Sequence, residues 1–325
     1  MSMILRILQL SLVLSIAPLA GISQTGNGAE NLKIVLISDL NESYGSTHYK
    51  EYVDSTLAFI REQKPDLVLC TGDMVAGQSL SLSEDELREM WQGFDETIGD
   101  PLRELSIPFA FTLGNHDGSG SGNFDHERQI AKEYWSERKP DLSFVDSAQF
   151  PFYYSFVFND LFFISWDASY QHISEEERNW VEEQLSGNDA DKAALKLMLG
   201  HLPLYAVAEG RNHSGEVLSD ADELFELMKR EQLNYYFSGH HHAWYAAEKE
   251  GVKMIHSGAQ GGGPRMLIGS DTPPRRTVTL LEKYPGESDF QITSFDLENN
   301  MKPIKSDELP ARIDGFNGTL FRYDY

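Results

Sequence analysis

Cysteine occurs once in the 325 residues, at Cys70. A lone cysteine excludes an intramolecular disulfide and any multi-cysteine zinc or iron–sulfur framework. Its setting, Asp66-Leu67-Val68-Leu69-Cys70-Thr71-Gly72, reads as a buried strand in which the thiol packs as a small hydrophobe. Positive charge is scarce as well. Lys and Arg total 27 against 51 Asp and Glu, a formal net charge of -24, and such a field repels polyanions. General nucleic-acid binding is therefore not expected. A small phosphorylated substrate remains compatible with that charge if bound divalent cations reverse the potential inside one pocket.

Long apolar runs are missing too. The run from Ile7 to Ala17 is only about 11 residues long, short for a hydrocarbon core of about 30 Å. Placed between Arg6 and the small residues of Pro18-Leu19-Ala20-Gly21-Ile22-Ser23, it fits a secretory signal over residues 1–23, cleaved after Ser23 or Ala20. An uncleaved N-terminal membrane anchor is the alternative. With no cysteine in that region, a bacterial lipoprotein is excluded. The mature chain carries no further candidate span, so a periplasmic or secreted location is expected.

What is present is ordinary globular composition, 41% hydrophobic and 24% charged. Leu32 to Ile37 is a β-type run ended by Ser38-Asp39, and helical spacing follows from His48 to Gln63. The pattern repeats: Leu67 to Cys70 runs into Gly72-Asp73, a helix is expected from about Ser83 to Leu105, and Pro108 to Leu113 runs into Gly114-Asn115-His116-Asp117. Alternating strands and helices imply βαβ units and a parallel sheet. Beyond Phe152 a hairpin is expected across Asn159-Asp160. Short strands follow, with helices at Ser174–Leu185 and roughly Ser219–Glu231, so sheet order there becomes antiparallel or mixed. With no repeat or long linker, residues 24–325 read as a single domain with two packed sheets covered by helices.

Polar clusters sit directly after the expected strands: Asp39-Leu40-Asn41, Gly72-Asp73, Gly114-Asn115-His116-Asp117, Gly200-His201 and Gly239-His240-His241-His242. Ligands collect at the carboxyl ends of strands in open α/β sheets. Taken singly, each cluster reads as a cap, a turn or a structural histidine. The ordered set resembles the calcineurin-like metallophosphoesterases, whose pattern is D-x-H, G-D, G-N-H-[DE], a later His and G-H-x-H. The resemblance runs from about Leu32 to Ser257 and departs at one position, Asn41, where the family usually has His.

That resemblance implies a four-layer αββα sandwich, two mixed β-sheets flanked by helices. It implies two divalent transition metal ions, Mn, Fe, Zn or Ni, and the mixture of carboxylate, amide and imidazole donors suits such ions. Carried over residue by residue, Asp39, Asn41, Asp73 and His242 hold one metal. Asp73, Asn115, His201 and His240 hold the other, with Asp73 bridging. A metal-bridging hydroxide would attack phosphorus, while His116 stabilises the phosphoryl group or protonates the leaving oxygen. His240 and His242, two apart on an extended segment, point one way and His241 the other.

Asn41 is either a weaker amide ligand or a turn cap. Where purple acid phosphatases carry a metal-binding Tyr this chain has Ala76, which can neither bind iron nor orient His116. Asp117 is the nearest residue in sequence to do the orienting. Three further features are candidate substrate contacts, each with a plain structural alternative. Arg265, in the loop Gly258–Arg265, can form a fork to phosphate or belong to a surface turn. His213, in Arg211-Asn212-His213, sits on a rim loop or an ordinary connection. Tyr44 donates to a phosphoryl oxygen or simply packs, and Asp167, after Trp166, supports or caps. The expected activity is a secreted or periplasmic phosphomonoesterase or phosphodiesterase. The alternative is a catalytically weak protein of the same fold that binds a phosphorylated ligand or a partner.

Overall fold

Leu32–Ile37 (β1), Leu67–Cys70 (β2) and Phe109–Phe111 (β3) are continuous apolar runs, as strands covered on both faces require. In the computed structural model, which describes residues 31–324, they lie side by side and parallel. The expected signal segment lies outside the described residues. The remaining strands are β4 (Ser143–Gln149), β5 (Tyr153–Phe158), β6 (Leu161–Ser165), β7 (Leu195–Leu199), β8 (Tyr235–Ser238), β9 (Tyr245–Lys249), β10 (Val252–His256), β11 (Thr277–Lys283), β12 (Gln291–Asp296), β13 (Lys302–Pro303), β14 (Arg312–Gly315) and β15 (Gly318–Arg322).

One sheet has the order β13-β12-β11-β1-β2-β3 and the other β14-β15-β9-β10-β8-β7-β6-β5-β4. Both are mixed. In the second, β6, β7, β8 and β10 are parallel, and the strands on either side run antiparallel. The expected hairpin is present, with Asn159 at φ 53° in the turn and Phe158 opposite Leu161.

Side-chain alternation assigns the layers. Ile34, Leu36, Leu67, Leu69 and Ala110 share a core with Tyr154, Phe156, Phe163 and Leu197 of the second sheet. Their neighbours Val35, Ile37, Val68, Cys70, Phe109 and Phe111 face the other way. There they pack with apolar residues of α1 (Glu51–Gln63), α2 (Glu84–Phe94) and Asp125–Glu137. Helices at Glu175–Leu185 and Ala221–Arg230 cover the second sheet through Val181, Leu185, Phe225 and Met228. Among the described residues no helix is long and apolar enough to cross a membrane.

The helix expected from Ser83 to Leu105 runs through a change of winding. α2 starts at a Ser83–Glu86 capping box and passes into a π turn, Asp95–Gly99, before α3 (Asp100–Glu104). Pro101 accounts for the change: it has no N–H to give and its ring clashes with the preceding turn, and the Asp100 N–H bonds back to the Asp95 carbonyl. Cys70 is buried, and burial pushes its thiol pKa up, so it is the inert packing group its strand context implies.

Candidate metal centre

Every cluster singled out in the sequence falls at the carboxyl end of a parallel strand. Asp39 and Asn41 follow β1, Asp73 follows β2, and Asn115 and His116 follow β3. His201 follows β7 and His240–His242 follow β8. Because these ends belong to both sheets, the site forms where the sheets meet. The Asp39 and Leu40 N–H groups donate to the Gly72 and Asp73 carbonyls (both 2.9 Å), and Gly239 N–H donates to the His201 carbonyl (3.0 Å). Asp39, Asp73, His240 and His242 all have left-handed backbone, with φ of 50°, 56°, 63° and 51°. Non-glycine residues rarely adopt it. Gly114 packs so closely on Asp73 that a Cβ there would collide with its carboxylate and main chain.

Two groups of donors result. Ligand atoms of Asp73, His201 and His240 lie within 4.8 Å of one another, as do those of Asp39, Asp73 and His242. Asp73 is common to both. Its Oδ2 lies 3.3 Å from His201 Nε2, and Asp39 Oδ1 lies 3.2 Å from His242 Nε2. Asp39, Asp73 and His201 are essentially inaccessible to solvent, and neither aspartate forms an ion pair with Lys or Arg among the described residues. Buried carboxylates with no Lys or Arg partner need their charge balanced by protonated imidazoles or by a bound cation. These donors suit a borderline divalent metal.

Main-chain carbonyls aim most of the imidazoles. A carbonyl only accepts, so the nitrogen touching it carries the proton. His201 Nδ1–H donates to Thr71 (2.7 Å) and His242 Nδ1–H to Gly263 (3.0 Å), leaving Nε2 of each turned to an aspartate. Asn115 is set by its amide: Nδ2 donates to Gln78 Oε1 (2.7 Å), so Oδ1 faces His201 Nε2 at 2.9 Å. Asn41 is buried, with its N–H near the Asp73 carbonyl (3.2 Å).

The charges are coupled. Burial alone would raise the Asp73 carboxyl, but the His201 and His116 imidazoles hold it well below the usual carboxylate range. Burial disfavours the His201 cation, yet the Asp73 carboxylate raises that imidazole to about 9. A metal taken up here displaces that proton, so binding tightens as pH rises.

His116 Nδ1–H donates to the Gly77 carbonyl (2.8 Å), and its Nε2 lies 4.0 Å from Asp73 Oδ2. The Tyr44 ring, largely exposed, leans over it at 5.4 Å. Gly77, not Asp117, orients this histidine. Asp117 instead accepts the N–H groups of Met74 (2.7 Å), Val75 (2.9 Å) and Gly114 (2.7 Å), stapling two strand-end loops together. Burial and the Asp73 charge push its pKa up to about 7. A Cβ on Gly77 would lie 2.5 Å from the His116 carbonyl oxygen and 2.9 Å from Glu127 Oε2. Gly77→Ala should therefore lower kcat on the order of 10²-fold, the usual cost of a displaced reacting group, with metal content unchanged. Turnover and elemental analysis on one preparation check this, and unaltered turnover would deny Gly77 its part.

Of the candidate substrate contacts, Arg265 donates its main-chain N–H to the His242 carbonyl (3.0 Å), and its buried Nε has no hydrogen-bond partner among the described residues. Its glycine-rich loop is no free turn, since Gln260 Oε1 accepts the Ser38 N–H (2.7 Å) and Gly261 N–H donates to the Asp39 carbonyl (2.8 Å). His213 is exposed, and its ring hydrogen-bonds within its own loop, at the Ser214 carbonyl (3.0 Å). Asp167 pairs with Arg128 (2.6 Å), which also donates to the Gly118 carbonyl (2.8 Å). Sequence reasoning missed Gly77, Gln78 and Glu127. Glu127 accepts the Gln78 N–H (2.7 Å), but nothing in local spacing marks any of the three.

Two mixed sheets with a carboxylate–imidazole cluster at the strand ends between them define a metal-binding α/β class. The calcineurin-like phosphoesterase family matches residues 32–244, most of the chain, and this protein belongs to that family. It is similar to a phosphoenolpyruvate phosphatase of Allium cepa, 23% identical over 215 residues, which are 64% of this chain and 40% of that protein. The chain thus spans about two fifths of that relative's length. A purple acid phosphatase, PPD1 from yellow lupin (Lupinus luteus) seeds, superposes with a TM-score of 0.63 at 15% identity, covering 85% of this chain and 53% of that one. GAP50, the anchor in the inner membrane complex of Plasmodium, gives 0.54 at 14%, covering 86% and 91%. At these identities the structural likeness speaks for the fold.

Proposed function

We propose that this protein is a dimetal phosphoric ester hydrolase, secreted or periplasmic, acting on small phosphomonoesters or phosphodiesters. The observation that carries the reading is one buried carboxylate, Asp73, shared by two donor groups. Asp39, Asn41, Asp73 and His242 would hold one cation, and Asp73, Asn115, His201 and His240 the other. When bound, such a pair activates water as the nucleophile and neutralises phosphoryl charge. The chain's own part is then orientation and proton transfer. His116, tied back through Nδ1, presents Nε2 beside Asp73, where it can donate a proton to a leaving oxygen. Tyr44 beside it and Arg265 behind His242 would contact phosphoryl oxygens. His213 would meet substrate only beyond the phosphoryl group, being exposed on its loop. An acidic surface around a cationic pocket favours compact substrates over polyanions.

The test is hydrolysis of p-nitrophenyl phosphate and its bis ester after loading with Mn, Fe, Zn, Co or Ni in turn. Turnover with none of them supports the other reading, a fold retained for binding a phosphorylated ligand or partner. Asn41 is the observation that favours that reading, because a neutral amide stands in place of an imidazole. If its oxygen binds metal, Asn41→Ala makes activity depend on added metal while Asn41→His preserves or tightens binding. If it only caps the turn, Asn41→Ala loses about 0.5–2 kcal/mol of stability and leaves the metal titration where it was. Activity against metal concentration, with thermal melts of the metal-free forms, separates the two.

A further inference from the structure

His201, His242 and His116 are each anchored through Nδ1 to a main-chain carbonyl, which leaves Nε2 facing the aspartates. His240 is turned the other way. Its Nε2 lies 2.9 Å from Glu216 Oε2 and 2.9 Å from Arg211 Nη1, and Arg211 is itself ion-paired with Glu216. Glu216 belongs to neither donor group. The same residue is gripped a second time: His241 Nε2 donates to the Glu216 carbonyl (2.9 Å), and His241 Nδ1 accepts the Val207 N–H (3.3 Å). The middle histidine, pointing away from the cluster, holds the 211–217 loop against its neighbour.

We propose that Glu216 is a positioning residue that holds His240 as the Nε2–H tautomer and so presents Nδ1 as its metal-binding nitrogen, with Arg211 fixing the carboxylate. Arg211 as sole partner would select the opposite tautomer, because a guanidinium only donates; Glu216 takes that donor and reverses the choice. Carboxylates that accept the second N–H of a metal-bound imidazole orient the ring and raise its basicity, and their loss typically weakens metal binding 10- to 100-fold. This inference rests on the proposed metal centre. It adds two residues that the strand-end pattern does not contain, and it gives His241, the middle histidine of the Gly239–His242 run, a role.

The experiment uses the full chain. Mn²⁺ and Zn²⁺ binding is titrated calorimetrically for wild type, Glu216→Ala and Glu216→Asp, and the His240 ring nitrogens are observed by ¹⁵N NMR in the metal-free proteins. Thermal melts confirm that each variant is folded. The expected result is two sites in wild type, with one weakened 10- to 100-fold in Glu216→Ala and partly restored in Glu216→Asp. The wild-type His240 spectrum shows Nε2–H, and Glu216→Ala moves it toward Nδ1–H. A wild-type Nδ1–H tautomer, or unchanged affinities in a folded Glu216→Ala, overturns the role of Glu216 and leaves the metal centre standing. A wild type that binds neither ion overturns the metal centre itself, and this inference with it.

Discussion

Asp73→Asn is expected to abolish phosphoester turnover, by about 10³-fold or more, and to strip metal from the protein. The substitution keeps the size and shape of the side chain and removes its charge. Asp73 is the one carboxylate common to both donor groups, so the loss would fall on both of the proposed cations at once and would leave their mutual repulsion uncompensated. Metal ions supply several kcal/mol of transition-state stabilisation in such sites, and each 1.36 kcal/mol is a factor of ten. Fold should survive, since Asn can still accept the His116 N–H that Oδ1 now accepts at 2.9 Å. Elemental analysis and turnover are measured on the same folded sample. Two tightly held metals with near-normal rates would remove Asp73 from the bridge.

The second large effect is at His116. Its ring is held by Gly77 and leaned on by Tyr44, with Nε2 too far from Asp73 for a hydrogen bond at 4.0 Å. His116→Ala should lower kcat by roughly 10²–10⁴, the usual contribution of a general acid, with metal content retained. The deficit should shrink for substrates with good leaving groups, which need no proton. Metal lost along with activity would instead make His116 a ligand.

The strand-end residues were legible in the sequence because they lie within five positions of the end of a continuous apolar run, where a strand must stop. Asp39 after Ile37 and His201 after Leu199 are instances. Glu216 was not legible, because its role depends on a loop folding back on β8 from some 24 residues away. Gly77 and Gln78 were missed for a similar reason: their partners, His116 and Asn115, come from the next strand's loop. Among elements, α5 (Asp125–Glu137, after the short helix α4 at Asn115–Gly118) went unread although Ile130, Ala131, Tyr134 and Trp135 form one buried stripe. Its many charged residues hide that stripe from a composition-led reading. The edge strand β4 has no alternation to reveal it, and the β14–β15 hairpin carries only two fully buried apolar residues, Ile313 and Leu320. The sheet order, including parallel β6, β7, β8 and β10, required the tertiary pairing itself.

The left-handed backbone at Asp39, Asp73, His240 and His242 bears on what happens when metal is withdrawn. Holding a non-glycine residue in that conformation costs about 1–3 kcal/mol, and it persists only because the two sheets over-determine it. If packing that extends far beyond the donors is what holds it, the cage stands before any ion arrives. Chelation should leave a folded protein, unlike small zinc domains whose cores depend on the ion. Thermal stability should then climb with the logarithm of free metal, as for any ligand meeting a finished receptor. A frame fixed in this way selects ions by the spacing it imposes, and it lets one metal be exchanged for another without refolding the chain.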